Sequence, residues 1–259
     1  MQYRLAAFSG ATVAIFWALI EVVVISVFFN YGANGLDTVN GMSLPQAVTY
    51  IWIAQIIMGL GYPNIDGDLM AMITSGDVGV ELCRPLGLYT HWFARTAASK
   101  SSAAILRGSL TMLCGVALTL AGFTDIGLGP PQSPAHLILF ILSVFNSFIF
   151  GTAFSMMMTS VRLGVPWGDG PINLITMAGM VMSGAYFPLQ LWPDFMQPFL
   201  RAQPFAGYMD APARLYAGTV AVGDGLVSIL FQFVWIAAFI LAGKIIMERK
   251  LKNVIIQGG

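Results

Sequence analysis

Glu21 is a carboxylate set inside an otherwise apolar stretch covering residues 7–29. Such a group costs on the order of 2–3 kcal/mol to insert at the centre of a bilayer, so it faces protein or a water-filled cavity. Two chemistries fit it. It meets a cationic solute or carries a proton along a path, or it bonds a basic or hydroxyl group, or a neighbouring helix, within a bundle. Asn146 is a second polar group inside an apolar run, with Gln55, Thr111, Ser147 and Gln232 of the same kind. Groups like these commonly hold helices together, for about 1 kcal/mol each. Met157 sits in the run Met156, Met157 and Met158, where flexible thioethers could line an adaptable cavity. Glu21, Asn146 and Met157 are therefore the candidate path residues. Gly179 and Ser183 stand four apart, a small-residue spacing that suits a close contact with a second subunit.

Covalent chemistry has no visible home. His91 and His136 are isolated, HExxH and CxxC patterns are absent, and no nucleophile–base pair stands out. Nothing matches GxxxxGK[ST], since Lys244 follows Gly243 without the Ser/Thr or the upstream glycine. The expectation is a chain that binds no cofactor or metal itself. A disulfide between Cys83 and Cys114 is not expected, because one falls in a connection and the other in an apolar run.

The elements that must position these residues follow from composition. The 259 residues are 57% hydrophobic and only 9% charged, against about a quarter charged in a soluble domain. Lipid must be the main solvent. Apolar runs near the length of a bilayer crossing fall at 7–29, 46–62, 103–123, 136–160, 171–187 and 226–247. Lipid offers the backbone no hydrogen-bond partner, so these runs must be helical. The predicted fold is an all-α membrane protein with six transmembrane helices in a single permease-like domain over 1–259. The first run, although Arg4 precedes it, lacks a convincing cleavage site and is read as a retained helix.

Orientation follows from Lys and Arg, which stay on the cytoplasmic side. With both termini inside, Arg4, Arg84, Arg95, Lys100, Arg107, Arg162, Lys244, Arg249, Lys250 and Lys252 are cytoplasmic, ten of the twelve basic residues. Only Arg201 and Arg214 lie outside. The expected location is an inner (plasma) membrane. The basic residues are explained by topology and anionic lipid headgroups, and a net charge of zero favours no nucleic acid.

Three connections carry their own pattern. Residues 30–45, rich in Gly, Asn and Asp, read as a turn-rich external link. Residues 74–102 form a long cytoplasmic connection. Pro85 suits the first turn of a helix, and Leu86, Tyr89, Trp92 and Phe93 form an apolar face suited to the headgroup boundary. This segment either anchors the loop or docks a cytoplasmic partner, presenting Val78, Val80 and Leu82 with the charges of Asp77, Glu81 and Arg84. Residues 188–224 hold Trp192, Phe195, Phe199, Phe205, Tyr208 and Tyr216, yet Pro188, Pro193, Pro198, Pro204 and Pro212 prevent one crossing helix. An external re-entrant pair of short helices satisfies both facts.

The string Ile73-Thr74-Ser75-Gly76-Asp77-Val78-Gly79-Val80-Glu81-Leu82-Cys83-Arg84-Pro85-Leu86 resembles a signature that follows the second span in a branch of the ABC type-2 permeases. Ser183-Gly184-Ala185-Tyr186-Phe187-Pro188-Leu189, with Trp192-Pro193, Gln203-Pro204-Phe205 and Pro212 after it, is similar to the ending of that family's fifth span. The resemblance implies the membrane half of an exporter. Two permeases pair, as a homo- or heterodimer, and two cytoplasmic ABC ATPase subunits bind ATP and Mg. It also implies a coupling helix within about 75–85, so that Asp77, Val78, Val80, Glu81, Leu82, Arg84 and Pro85 become the ATPase-coupling residues. The alternative is an autonomous secondary transporter or channel with Glu21 as coupling carboxylate, although inverted repeats and midplane breaks are not visible.

Overall fold

The computed structural model describes residues 2–32, 37–59, 64–82, 87–163 and 170–252, with side-chain positions for all of these except 2–7, 80 and 102–104. Among the described residues ten α-helices run in the order α1 (Gln2–Val27), α2 (Leu44–Gly59), α3 (Gly67–Ser75), α4 (Val78–Leu82), α5 (Leu88–Leu120), α6 (Pro134–Arg162), α7 (Gly170–Met182), α8 (Gln197–Ala202), α9 (Asp210–Ala217) and α10 (Val222–Leu251). Four stretches among the described residues are long and apolar enough to cross a bilayer: Phe8–Gly32, Leu88–Leu120, Pro134–Arg162 and Val222–Leu251. Their outward faces are unusually apolar. Phe16, Val23, Leu226, Val227, Leu230 and Val234 are all largely exposed, an arrangement suited to lipid rather than water.

The two remaining apolar runs form shorter helices. The 16 residues of α2 span roughly 24 Å and the 13 of α7 roughly 20 Å, against a hydrocarbon core of about 30 Å. Helix α2 is nevertheless the most enclosed element, packed between α1, α5 and α9. Trp52 is fully buried there and donates its indole N–H to the Ile126 carbonyl at 2.7 Å. Where α2 crosses α5, Gly59 and Gly108 bring the two backbones close together. A Cβ on Gly59 would lie 3.3 Å from the Gly108 nitrogen. Helix α7 ends at Met182, short of the expected 187, because Gly184 adopts a left-handed conformation (φ 83°) and reverses the chain before Pro188.

Helix α5 corrects the sequence reading of a separate interfacial helix. Leu88–Leu120 is one continuous helix of 33 residues that contains both the amphipathic stretch and the third apolar run. No proline interrupts it, and the charges of Arg95 and Lys100 are carried on its surface rather than marking a break. What remains of the connection is α3 and α4.

Long helices α6 and α10 form the most extensive pair. Ser133 caps α6, its hydroxyl accepting from the His136 N–H, and Pro134 opens the first turn. A second group comprises α1, α2 and α5, and α9 packs against both α2 and α6. One apolar core runs through both groups, from Ala18 and Val22 on α1 to Ile236 and Phe239 on α10.

At one end of the bundle the link before α2 closes as a hairpin of β1 (Thr38–Val39) and β2 (Met42–Ser43). Asn40 (φ 48°) and Gly41 (φ 78°) supply the two positive-φ positions that a two-residue hairpin turn requires. The Gln190 amide donates to the Asn40 carbonyl at 2.7 Å, and the Asn40 amide donates to the Gln190 carbonyl at 3.0 Å. The hairpin is thereby fastened to the proline-rich segment.

Candidate functional site

The candidate docking region is α3 and α4 with the base of α5. Asp66 caps α3, its carboxylate accepting from the Asp68 and Leu69 N–H groups. Gly76, left-handed at φ 82°, ends it. That turn swings α4 back so that Leu69 and Val78 both face inward, joining Leu88 and Trp92 of α5, Met156 of α6 and Met247 of α10 in one apolar cluster. Three long helices therefore meet the two short ones at one end of the bundle.

Polar contacts tie the same elements. Arg95 reaches Asp68 at 3.0 Å, Lys100 donates to Asn64 at 3.2 Å, and His91 lies 3.4 Å from Glu81. Of the expected coupling residues, Val78 (5% exposed) and Glu81 are turned into the fold of this chain. The reason is steric, since α4 is a single short turn pressed on Trp92. Asp77 is exposed and takes a hydrogen bond from the Ser75 hydroxyl, and Leu82 is 41% exposed. With Ala71, Thr74 and Ser75 they form the outward stripe. The side chain of Val80, and Arg84 and Pro85 altogether, lie outside the described residues.

The candidate path residues occupy different places. Glu21 is 9% exposed, and the Gln55 amide nitrogen sits 3.1 Å from both of its carboxylate oxygens. It links α1 to α2. Asn146 belongs to the α6–α10 contact, donating to the Gln232 carbonyl oxygen at 3.3 Å, with Ser143 and Ser147 beside it. Met157 is half-buried on α6, its backbone facing Gly243 of α10. The structure thus distributes these three over two helix groups. The supposed subunit-contact pair is also turned inward. A Cβ on Gly179 would come within 2.6 Å of the Phe205 ring, and the Ser183 hydroxyl donates to the Met180 carbonyl at 2.7 Å while 1% exposed. Their small size admits this chain's own proline-rich segment.

That segment is built from 3-10 turns at Leu189–Leu191, Asp194–Met196 and Pro204–Gly207, with α8 and α9. Its prolines fall just before an element or within its first turn, where a missing N–H costs least. The carbonyls left without helical partners are taken by glutamines. Gln197 donates to Leu189 and Trp192, Gln203 to Met182 and Leu200, and Gln232 of α10 to Gly207 at 2.6 Å.

Sequence reasoning missed the buried group at the centre of this region. Tyr50 of α2 places its hydroxyl 3.0 Å from an Asp210 carboxylate oxygen and 3.2 Å from the Gly184 carbonyl. Arg214, one turn along α9, lies 3.5 Å from the other Asp210 oxygen. Asp210 is 4% exposed, so Tyr50 and Arg214 are the groups that satisfy its carboxylate. An acid and an arginine at i, i+4 inside a proline-rich aromatic segment were the available signal.

A family model described as "ABC-2 family transporter protein" matches residues 15–258, nearly the whole chain. Comparison with curated proteins and with solved structures returned no match.

Proposed function

Given that the chain belongs to the ABC-2 transporter family, whose members are membrane permease subunits, we propose that it is the membrane half of an ATP-driven exporter. It pairs with a second permease, and two cytoplasmic ATPase subunits bind ATP and Mg. Six crossings put both termini on the cytoplasmic side of an inner (plasma) membrane, with α2 and α7 as the two short spans. Residues 188–217 enter the outer half of the bilayer and return, their freed carbonyls satisfied by the glutamines. A peptide, lipid-like or drug-like substrate moves outward.

The observation that carries this reading is the attachment of α3 and α4 to the ends of α5, α6 and α10 through Leu69, Val78, Trp92, Met156 and Met247. A partner pressing on the exposed Asp77 and Leu82 stripe moves three long helices together. ATP binding in the partner thereby reaches the membrane through packed side chains, with no nucleotide chemistry in this chain.

The test is co-purification of the full chain with its ATPase subunit in lipid nanodiscs, comparing wild type with the Asp77→Arg/Leu82→Ser variant. The expected result is a stoichiometric ATPase subunit on wild type and its loss, or loss of substrate-stimulated ATP hydrolysis, on the variant. Retention of full ATPase binding and stimulated turnover by the variant would overturn the docking assignment.

A further inference from the structure

At the end of the bundle opposite α3 and α4, a cavity of about 520 Å³ opens between α8, α9 and the start of α10. Its wall holds Arg201 and Arg214, the two basic residues that stand apart from the ten assigned to the cytoplasmic side. Retaining arginines there runs against the usual charge distribution of membrane proteins, so a ligand that needs them is the economical reason for their presence.

Both arginines have unspent hydrogen-bonding capacity. Arg214 makes a single long contact, 3.5 Å to Asp210, and its Nε is buried without a partner. Arg201 is exposed at the end of α8 and makes no ion pair among the described residues. Thr219 also lines the cavity, and its buried hydroxyl has no partner. Asp210 is committed to Tyr50 and Arg214, which leaves the exposed Asp224 as the remaining acid of the wall. Arg214 with its Asp210 partner thus lies in the inner part, and the exposed Arg201 and Asp224 stand nearer the solvent.

The opposite wall is apolar. Val227 and Phe231 line the cavity from α10, and Val227, 64% exposed, lies on the same outward stripe as Leu230 and Val234. Two arginines with unspent donors, beside a lipid-facing helix surface, match an amphiphile with an anionic head. Arginine forks bind phosphate oxygens with several parallel N–H groups.

We propose that this cavity is a headgroup site for a phosphate-bearing lipid of the outer leaflet, the phosphate held by Arg201 and Arg214 and the acyl chains lying along Val227 and Phe231. An ammonium-bearing headgroup gains a further contact at Asp224. The placement in the outer leaflet rests on the membrane threading proposed above.

The experiment uses the purified full-chain complex in detergent and measures its melting temperature during titration with phosphatidylethanolamine, phosphatidylglycerol, diacylglycerol and inorganic phosphate. Native mass spectrometry counts the lipids retained. The expected result is a rise of several degrees with the two phospholipids and none with diacylglycerol or phosphate. Arg201→Gln should lower the apparent phospholipid affinity at least tenfold. Val227→Trp, which fills the cavity mouth from an exposed position, should do the same and serves if Arg201→Gln fails to fold. Equal stabilisation by diacylglycerol overturns the headgroup assignment, and equal stabilisation by inorganic phosphate overturns the lipid assignment. Wild-type affinity in both variants overturns the site. ATPase co-purification is read on the same samples, so loss of the lipid site with the ATPase retained separates this inference from the exporter reading.

Discussion

The Gln55 amide lies between both oxygens of Glu21, inside the contact of α1 with α2. Replacing it by Leu strands a buried carboxylate, which should cost about 1–3 kcal/mol and lower the melting temperature in nanodiscs. Glu21→Gln keeps an acceptor for Gln55 and should leave transport unchanged across pH. A pH-dependent loss of transport in that variant would return Glu21 to the substrate path. Gly179 gives a steric prediction: Gly179→Val drives a side chain into the Phe205 ring and should destabilise by about 1–3 kcal/mol, with partial recovery when Phe205→Leu is added. No recovery would mean that some other neighbour sets the limit.

Helices α3 and α4 separate two kinds of substitution within a few residues. Val78→Ser acts on a buried contact with Leu69 and Trp92 and should cost about 1–3 kcal/mol of stability, seen as a lower melting temperature. Leu82→Ser acts on an exposed position and should weaken ATPase association at unchanged melting temperature. Equal effects of the two on both readouts would dissolve the distinction between inner and outer faces of α4. In the proline-rich segment the five prolines excluded one crossing helix, and the chain there is indeed built of short pieces. The four long apolar helices were legible in the sequence, since length and composition alone demand them. Other features depend on distant partners. Continuity of α5 hid behind Arg95 and Lys100, whose acceptors Asp68 and Asn64 lie on an earlier part of the chain. The carbonyl-capping glutamines, and the inward turn of Gly179 and Ser183, depend equally on residues brought close only by folding.

At the scale of the molecule, α9 joins the group α1, α2 and α5 to the pair α6 and α10. Tyr50 and Asp210 make the polar part of that join. Tyr50→Phe removes the donor and should lower stability by about 1–3 kcal/mol, while ATPase association at the far end persists; loss of the ATPase would mean that the two ends are less independent than their packing implies. The crossing of α5 over α2 at Gly108 and Gly59 has a mechanical consequence. Gly108 divides α5 into arms of roughly 30 Å toward Leu88 and 18 Å toward Leu120, at 1.5 Å per residue. If the helix pivots rigidly on that close contact, a displacement of about 5 Å at its base becomes about 3 Å, in the opposite direction, at its tip. The helix would then act as a reducing lever, exchanging distance for force at its Leu120 end.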